Sequence, residues 1–184
     1  GVDDEDIYKK IMLYSLHGQS KDALAKTRLG AWEYDIKGTY YKCNMTDIMA
    51  SIGLVQLGRY PELLKRRKDI IGRYTEGIRA DDIDIMPHYT DKYTSSGHLF
   101  LVRLLGRGEE DRNELITKMA EAGVATNVHY KPLPMHTAYK NLGFDIKDFP
   151  NSYDMYHNEI TLPLHTLLTD EQVEYVISQF NSLR

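Results

Sequence analysis

An α+β fold is what the sequence predicts, on three observations. Apolar residues return at helical spacing from Ile48, Ile52 and Val55, through Leu63, Leu64, Ile70, Ile71 and Tyr74, to Ile78. The stretch Leu99 to Leu105 is apolar almost throughout, as expected of a strand in the middle of a sheet. Thr169-Asp-Glu-Gln has the form of a capping box, and Val173, Val176, Ile177 and Phe180 then fall on one helical face. Beyond residue 80 the order strand, strand, helix, strand, strand, helix makes a small sheet with helices on one face.

The elements follow in order. Asp3 or Asp4 can cap a first helix whose Ile7, Ile11 and Tyr14 share a face, with Gly18 placed to end it. Gln19 to Gly38 reads mostly as loop, with room for one short helix from Lys21. Thr46 is a good N-cap and Asp47 a good first-turn residue for the long helical stretch. Pro61 lacks the N–H that a helix interior needs, so two helices are expected to meet near Gly58 to Pro61. Ile83 to Met86 is a short strand stopped by Pro87, and Tyr89 to Gly97 a polar loop. Glu109 to Ala122 is a helix burying Leu115, Ile116 and Met119 and closed by Gly123. Val124, Thr126 and Val128 alternate as a further strand with Asn127 and His129 on its other face. Short helices are expected around Thr137 to Leu142 and after Pro150, and a short strand at Ile160 to Leu162.

Composition narrows the function. The net charge of −4 gives no general attraction to nucleic acid or to an anionic membrane, and neither is expected as a partner. Cys43 is the only cysteine, so no intramolecular disulfide can form, which fits a reducing, cytoplasmic setting. No apolar run approaches membrane-spanning length, and the acidic start Gly1 to Asp6 has no signal-peptide character.

The chemistry legible from spacing alone is modest. Tyr40 to Gly53 delivers an aromatic, polar segment onto a helix N-terminus, where unpaired N–H groups favour an anion, although Asp47 opposes one. That pattern by itself describes an ordinary capping turn. Lys65-Arg66-Arg67-Lys68 reads as a solvated basic face, with Arg67 paired to a carboxylate. His129, His136, His157 and His165 lack metal-ligand spacing. No Gly-x-Ser-x-Gly turn, glycine-rich phosphate loop or cysteine–histidine pair is present, which disfavours a hydrolase or a nucleotide-binding enzyme. His129-Tyr130 stands out because it ends a strand just before Lys131-Pro132, where side chains project from a rigid element into a cleft.

Taken together, Tyr41-Lys-Cys-Asn-Met-Thr-Asp-Ile, Ala50-Ser-Ile-Gly-Leu-Val-Gln-Leu and the Arg66 to Tyr74 helix resemble the DegT/DnrJ/EryC1/StrS family of pyridoxal-phosphate-dependent sugar aminotransferases. The likeness continues through His17-Gly18, His98-Leu-Phe, Gly123-Val-Ala-Thr-Asn-Val-His-Tyr and Thr161-Leu-Pro-Leu, in order along the chain. It implies the C-terminal small domain of a fold-type I PLP-dependent transferase: a small, largely antiparallel sheet with helices on one face, N-terminal helices and a long joining helix. The implied divisions are a large-domain remnant at 1–45, a joining helix at 46–80 and the small domain at 81–184.

The resemblance also implies site roles and partners. Asn44, with Lys42 as the second candidate, would hydrogen-bond the cofactor phosphate of the other subunit across a two-fold interface; His129, Tyr130, Tyr41 and His98 would lie near the sugar-nucleotide substrate. Glutamate would be the amino donor, and a homodimer the working form. The family's Schiff-base lysine belongs to a Ser-Phe-His-x-x-Lys-like segment that precedes this stretch. The chain is therefore expected to need an N-terminal large domain and to be inactive alone, its metal sites none. The rival expectation is a non-catalytic binding or assembly module derived from the same fold.

Overall fold

A computed structural model describes residues 2–19, 35–43 and 45–184, and the chain divides into two compact units, 1–58 and 59–184. The expected loop from Gln19 to Gly38, with its short helix from Lys21, falls largely outside the described residues.

In the first unit, helix α1 spans Glu5–Ser15. Asp4 is its N-cap, the carboxylate accepting from the Ile7 N–H at 2.9 Å. The helix ends where His17 and Gly18 turn to positive φ, and the Gly18 N–H returns to the Leu13 carbonyl at 2.9 Å. Gly18 is required there twice over: its φ is +73°, and a Cβ would collide with the Gly38 carbonyl oxygen. Backbone bonds from His17 N–H to Tyr41 O and from Cys43 N–H to Ser15 O, both 2.9 Å, fasten the 41–43 segment to the end of α1. The rings of Tyr14 and Tyr40 pack with centroids 4.3 Å apart.

Helix α2 spans Asp47–Gly77 without interruption and carries Pro61 inside it. The expected break at Gly58 to Pro61 does not occur. Leu57, whose carbonyl loses its amide partner to the proline, is solvent-exposed, so water can take that bond and the helix continues. Thr46 caps α2, its hydroxyl accepting from the Met49 N–H at 3.3 Å.

The second unit is built on a three-stranded antiparallel sheet, β1 (Ile83–Ile85), β2 (Phe100–Leu104) and β3 (Glu159–Leu162), in spatial order β1-β2-β3. The apolar run thus supplies the central strand, with Phe100 opposite Leu162 and Val102 opposite both Ile85 and Ile160. Phe100, Val102, Leu104, Ile160 and Leu162 point to one face. That face is covered by Ile70, Ile71, Tyr74 and Ile78 from the α2 region, Leu115 and Met119 of α3 (Glu109–Glu121), and Val173, Val176, Ile177 and Phe180 of α6 (Asp170–Leu183). Gly97, at φ +64°, lets the chain pass close over α2, since a Cβ would meet Ile71 Cδ1 at 2.8 Å. The capping box of α6 is present in full: Thr169 Oγ1 accepts from Gln172 N–H and Gln172 Oε1 from Thr169 N–H. Between α3 and β3 lie the short helices α4 (Thr137–Lys140) and α5 (Pro150–His157).

The strand expected at Val124 to Val128 is reduced to one antiparallel bridge, in which Asn127 and Thr161 exchange both backbone bonds at 3.1 and 2.7 Å. The next pairs of a ladder cannot close. Pro163, level with Ala125, has no N–H to donate, and the Glu159 carboxylate takes the His129 N–H that would face the Glu159 carbonyl. Arg67 also departs from expectation: its guanidinium donates to the Gly97 carbonyl at 2.6 Å, and Arg66 is the member of the basic cluster that meets carboxylates, Asp69 and Asp170. Among the described residues no helix is long and apolar enough to cross a membrane.

Candidate functional site

Beside the bridge at Asn127, the second unit opens a cleft of about 270 Å³ lined by His98, Leu99, Asn127, His129, Thr161 and Pro163, among others. The two histidines singled out in the sequence meet here. His98 lies two residues before β2 begins and His129 two residues after the bridge to β3, and both line this cleft. His98 also borders a second hollow of about 250 Å³ with Tyr60, Leu63, Arg67 and Ser96. The His129-Tyr130 peptide is cis, and the Tyr130 ring meets the His129 ring edge-on, centroids 4.7 Å apart. Tyr130 is 70% exposed and stands outside the cleft lining.

The alternation of β3 explains why the cleft wall is polar. Ile160 and Leu162 enter the core, so Glu159 and Thr161 face the other way. There the Thr161 hydroxyl donates to the Glu159 carboxylate, and the other oxygen of that carboxylate accepts the His129 backbone N–H at 2.9 Å. Thr161 Oγ1 lies 2.9 Å from His129 Nδ1. Glu159 is 3% exposed, and burial pushes its carboxyl pKa up; hydrogen bonds from Thr161 and from the His129 amide, with the nearby Arg112 guanidinium, oppose that rise.

Arg112, 2% exposed, is the other buried charge of this region. Its Nη1 donates to the carbonyls of Tyr156 and Glu159, both at 3.2 Å, and its guanidinium lies over the Tyr156 ring at 4.9 Å. The guanidinium thereby ties α3 and α5 to the start of β3. Neither Arg112 nor the pair Glu159 and Thr161 was expected as a site residue from the sequence, although Thr161 opens one of the stretches that carry the resemblance. The alternation Glu-Ile-Thr-Leu was the available signal, since a strand with Ile160 and Leu162 inside must present Glu159 and Thr161 together.

The remaining expected residues belong to the first unit. Asn44 lies outside the described residues. Tyr41 is 79% exposed, and Lys42 is exposed with its backbone bridged to Leu16. In sequence Lys42 precedes the start of α2 at Asp47 by five residues, and an ammonium and helix-start N–H groups are donors that fit a phosphate. The cleft in the second unit is different in kind. Its lining, among the described residues, holds imidazole, hydroxyl, amide and apolar groups, which can bind and orient a polar ligand. Thr126 Oγ1, also in the lining, is buried without a hydrogen-bond partner among the described residues.

Comparison with known proteins agrees with this architecture. A relative from Bacillus subtilis, the spore coat polysaccharide biosynthesis protein SpsC, is 35% identical over 180 residues, which is 96% of this chain and 46% of that protein. A UDP-4-amino-4,6-dideoxy-N-acetyl-beta-L-altrosamine transaminase from Helicobacter pylori is 25% identical over 175 residues, 95% of this chain and 44% of its own. Among solved structures, Spr1654 from Streptococcus pneumoniae, assigned as a sugar aminotransferase, superimposes in its PMP form with a TM-score of 0.89 at 57% identity. The match covers 99% of this chain and 46% of that one. The same protein in its PLP form matches with a TM-score of 0.87. The chain thus spans about half the length of the curated relatives it matches, and the PMP and PLP forms of Spr1654 indicate pyridoxal phosphate as the cofactor. With its α+β architecture and a match over residues 2–181, the chain belongs to the DegT/DnrJ/EryC1/StrS aminotransferase family.

Proposed function

We propose that this chain is the C-terminal portion of an aminotransferase that aminates a keto group on a nucleotide-linked sugar, with glutamate as amino donor, for polysaccharide or antibiotic sugar biosynthesis. The observation that carries the reading is the family match along almost the whole chain, coupled to a polar cleft holding His98 and His129. In this reading residues 1–45 belong to the large domain, 46–80 join the domains, and 81–184 form the small domain. The intact enzyme works as a cytoplasmic homodimer.

When bound, pyridoxal phosphate supplies the electron sink that lets an amino group be exchanged for a keto group. The residues of this chain contribute binding and orientation. Asn44, with Lys42 beside it, would donate to the phosphate of the partner subunit's cofactor, and the start of α2 would add backbone N–H groups. His129 and His98 would hold the sugar nucleotide in the cleft, with Tyr130 at its margin, and Tyr41 is a further candidate substrate contact. The exposed apolar side chains of α1 and of the first half of α2, Ile7, Ile11, Ile48 and Ile52 among them, support contact with the large domain and a second subunit.

The test separates this reading from that of a binding or assembly module. The isolated chain with added pyridoxal phosphate and glutamate should release no 2-oxoglutarate and form no aminated sugar. The full-length gene product, given glutamate and a UDP-linked keto sugar, should release 2-oxoglutarate. A full-length product that binds the nucleotide sugar yet never transfers nitrogen would establish the module instead.

A further inference from the structure

Two groups behind the cleft have no part in the roles assigned so far, the buried Glu159 carboxylate and the Thr161 hydroxyl. We propose that Glu159 and Thr161 form a hydrogen-bond relay that fixes His129 as the Nδ1–H tautomer and so presents its Nε2 lone pair to a hydroxyl donor in the cleft.

The argument is one of proton inventory. Thr161 Oγ1 carries a single hydrogen and, with Glu159 ionised and able only to accept, directs it to that carboxylate. Toward His129 Nδ1, 2.9 Å away, the same oxygen can therefore only accept, which requires the hydrogen to sit on Nδ1. In the neutral ring Nε2 is then an acceptor, and among the described residues it has no hydrogen-bond partner.

The opposite polarity, with Thr161 donating to Nδ1, would set a hydroxyl lone pair against a carboxylate oxygen. The carboxylate is anchored from its second oxygen by the His129 N–H, so the relay closes a loop on the residue it orients. Of the charged groups around it, Arg112 on α3 bonds the Glu159 backbone carbonyl, and Arg103, its neighbour across β2, is turned to Asp154 and Asn158. Neither replaces Thr161 as donor to the carboxylate.

The class of ligand rests on the sugar aminotransferase reading above. A lone pair on a neutral imidazole at the wall of a cleft with no carboxylate suits a sugar hydroxyl, which can donate to it. Glu159 and Thr161 are positioning residues in this scheme and His129 makes the contact.

Nitrogen-15 NMR of the histidine-labelled chain at about pH 8, where histidine side chains are ordinarily neutral, tests the relay directly, with His129→Gln identifying the signal. The expected wild-type pattern is a protonated, pyrrole-like Nδ1 and a pyridine-like Nε2, the reverse of the tautomer that free histidine favours. Thr161→Val should lose that pattern and Thr161→Ser keep it, both with the amide spectrum of a folded protein. A wild-type Nε2–H tautomer, or a folded Thr161→Val chain that retains Nδ1–H, overturns the proposal; if Thr161→Val does not fold, the wild-type spectrum decides alone. In the full-length enzyme Thr161→Val should raise KM for the sugar substrate roughly tenfold, the size of one lost hydrogen bond, and Thr161→Ser should restore it. An unchanged KM overturns the hydroxyl contact. Because the spectrum needs neither cofactor nor turnover, failure of the relay leaves the aminotransferase reading standing, and failure of that reading leaves the tautomer measurable.

Discussion

The two ends of α2 carry similar side chains and meet opposite surroundings. Ile48 is 74% exposed and Leu54 is 71% exposed, whereas Ile70 and Tyr74 are fully buried against the sheet of the second unit. The periodic signal in the sequence is the same at both ends, because hydrophobic spacing reports that a face is meant to be covered and not what covers it. The C-terminal half is covered by β2, α3 and α6 within this chain. The N-terminal half exposes the apolar surface that the proposed function gives to a large domain and a second subunit.

Substitutions along that helix can break or sharpen the contrast. Tyr74→Ala should remove about 3–5 kcal/mol of stability, read by urea unfolding, because a fully buried ring and its hydrogen bond to the Pro163 carbonyl are lost together. A loss below about 1 kcal/mol would mean that the C-terminal half is not a core element. Pro61→Ala should act in the other direction, stabilising by roughly 1–3 kcal/mol, because an interior amide is restored to an exposed helical position. Should two helices abut at this point in solution, the substitution would gain nothing.

Smaller effects probe the partners of each half. Asp170 begins α6 and pairs with Arg66 and Arg73 of α2, at 2.8 and 2.7 Å. Thr169→Ala, which removes the cap of α6, should lower the unfolding free energy by about 1 kcal/mol. Glu159 provides a test through pH. Its folded pKa lies above the ordinary carboxyl value because burial disfavours the charge, so the folded state holds the proton more tightly. Its contribution to stability is complete below the unfolded value of about 4.3 and is lost as pH rises through the folded value. Glu159→Gln should flatten that decline in the stability–pH profile. Leu54→Ser should leave unfolding unchanged within about 0.5 kcal/mol, and a larger loss would show that the N-terminal half is covered within the chain after all.

Much of the fold was legible because local chemistry and tertiary environment agreed. The Thr169 to Gln172 box, the Asp4 and Thr46 caps, the central strand and the apolar face of α6 all appear as expected. Expectation failed where a neighbour altered the outcome. Pro61 is tolerated because its surroundings are wet, and the strand at 124 to 128 is cut short because Pro163 offers no amide and the Glu159 carboxylate captures that of His129. The site was half legible. His98 and His129 could be singled out from their places beside strands, and they do share a cleft. Glu159 and Thr161 left a signal in the alternation of β3, whereas Arg112 left none, because a charged residue in a helix looks solvated until the fold shows what lies over it. Asn44 falls outside the described residues, and its role rests on resemblance.

The period-two geometry of β3 binds folding and chemistry into one specification. Its four residues feed the interior and the cleft wall in turn, Ile160 and Leu162 to one, Glu159 and Thr161 to the other. A slip by a single position would push a carboxylate into the hydrocarbon and turn two aliphatic side chains toward the imidazole. Keeping Ile160 and Leu162 in the interior keeps positions 159 and 161 on the cleft wall behind His129, so the register that dries the core also aims that wall.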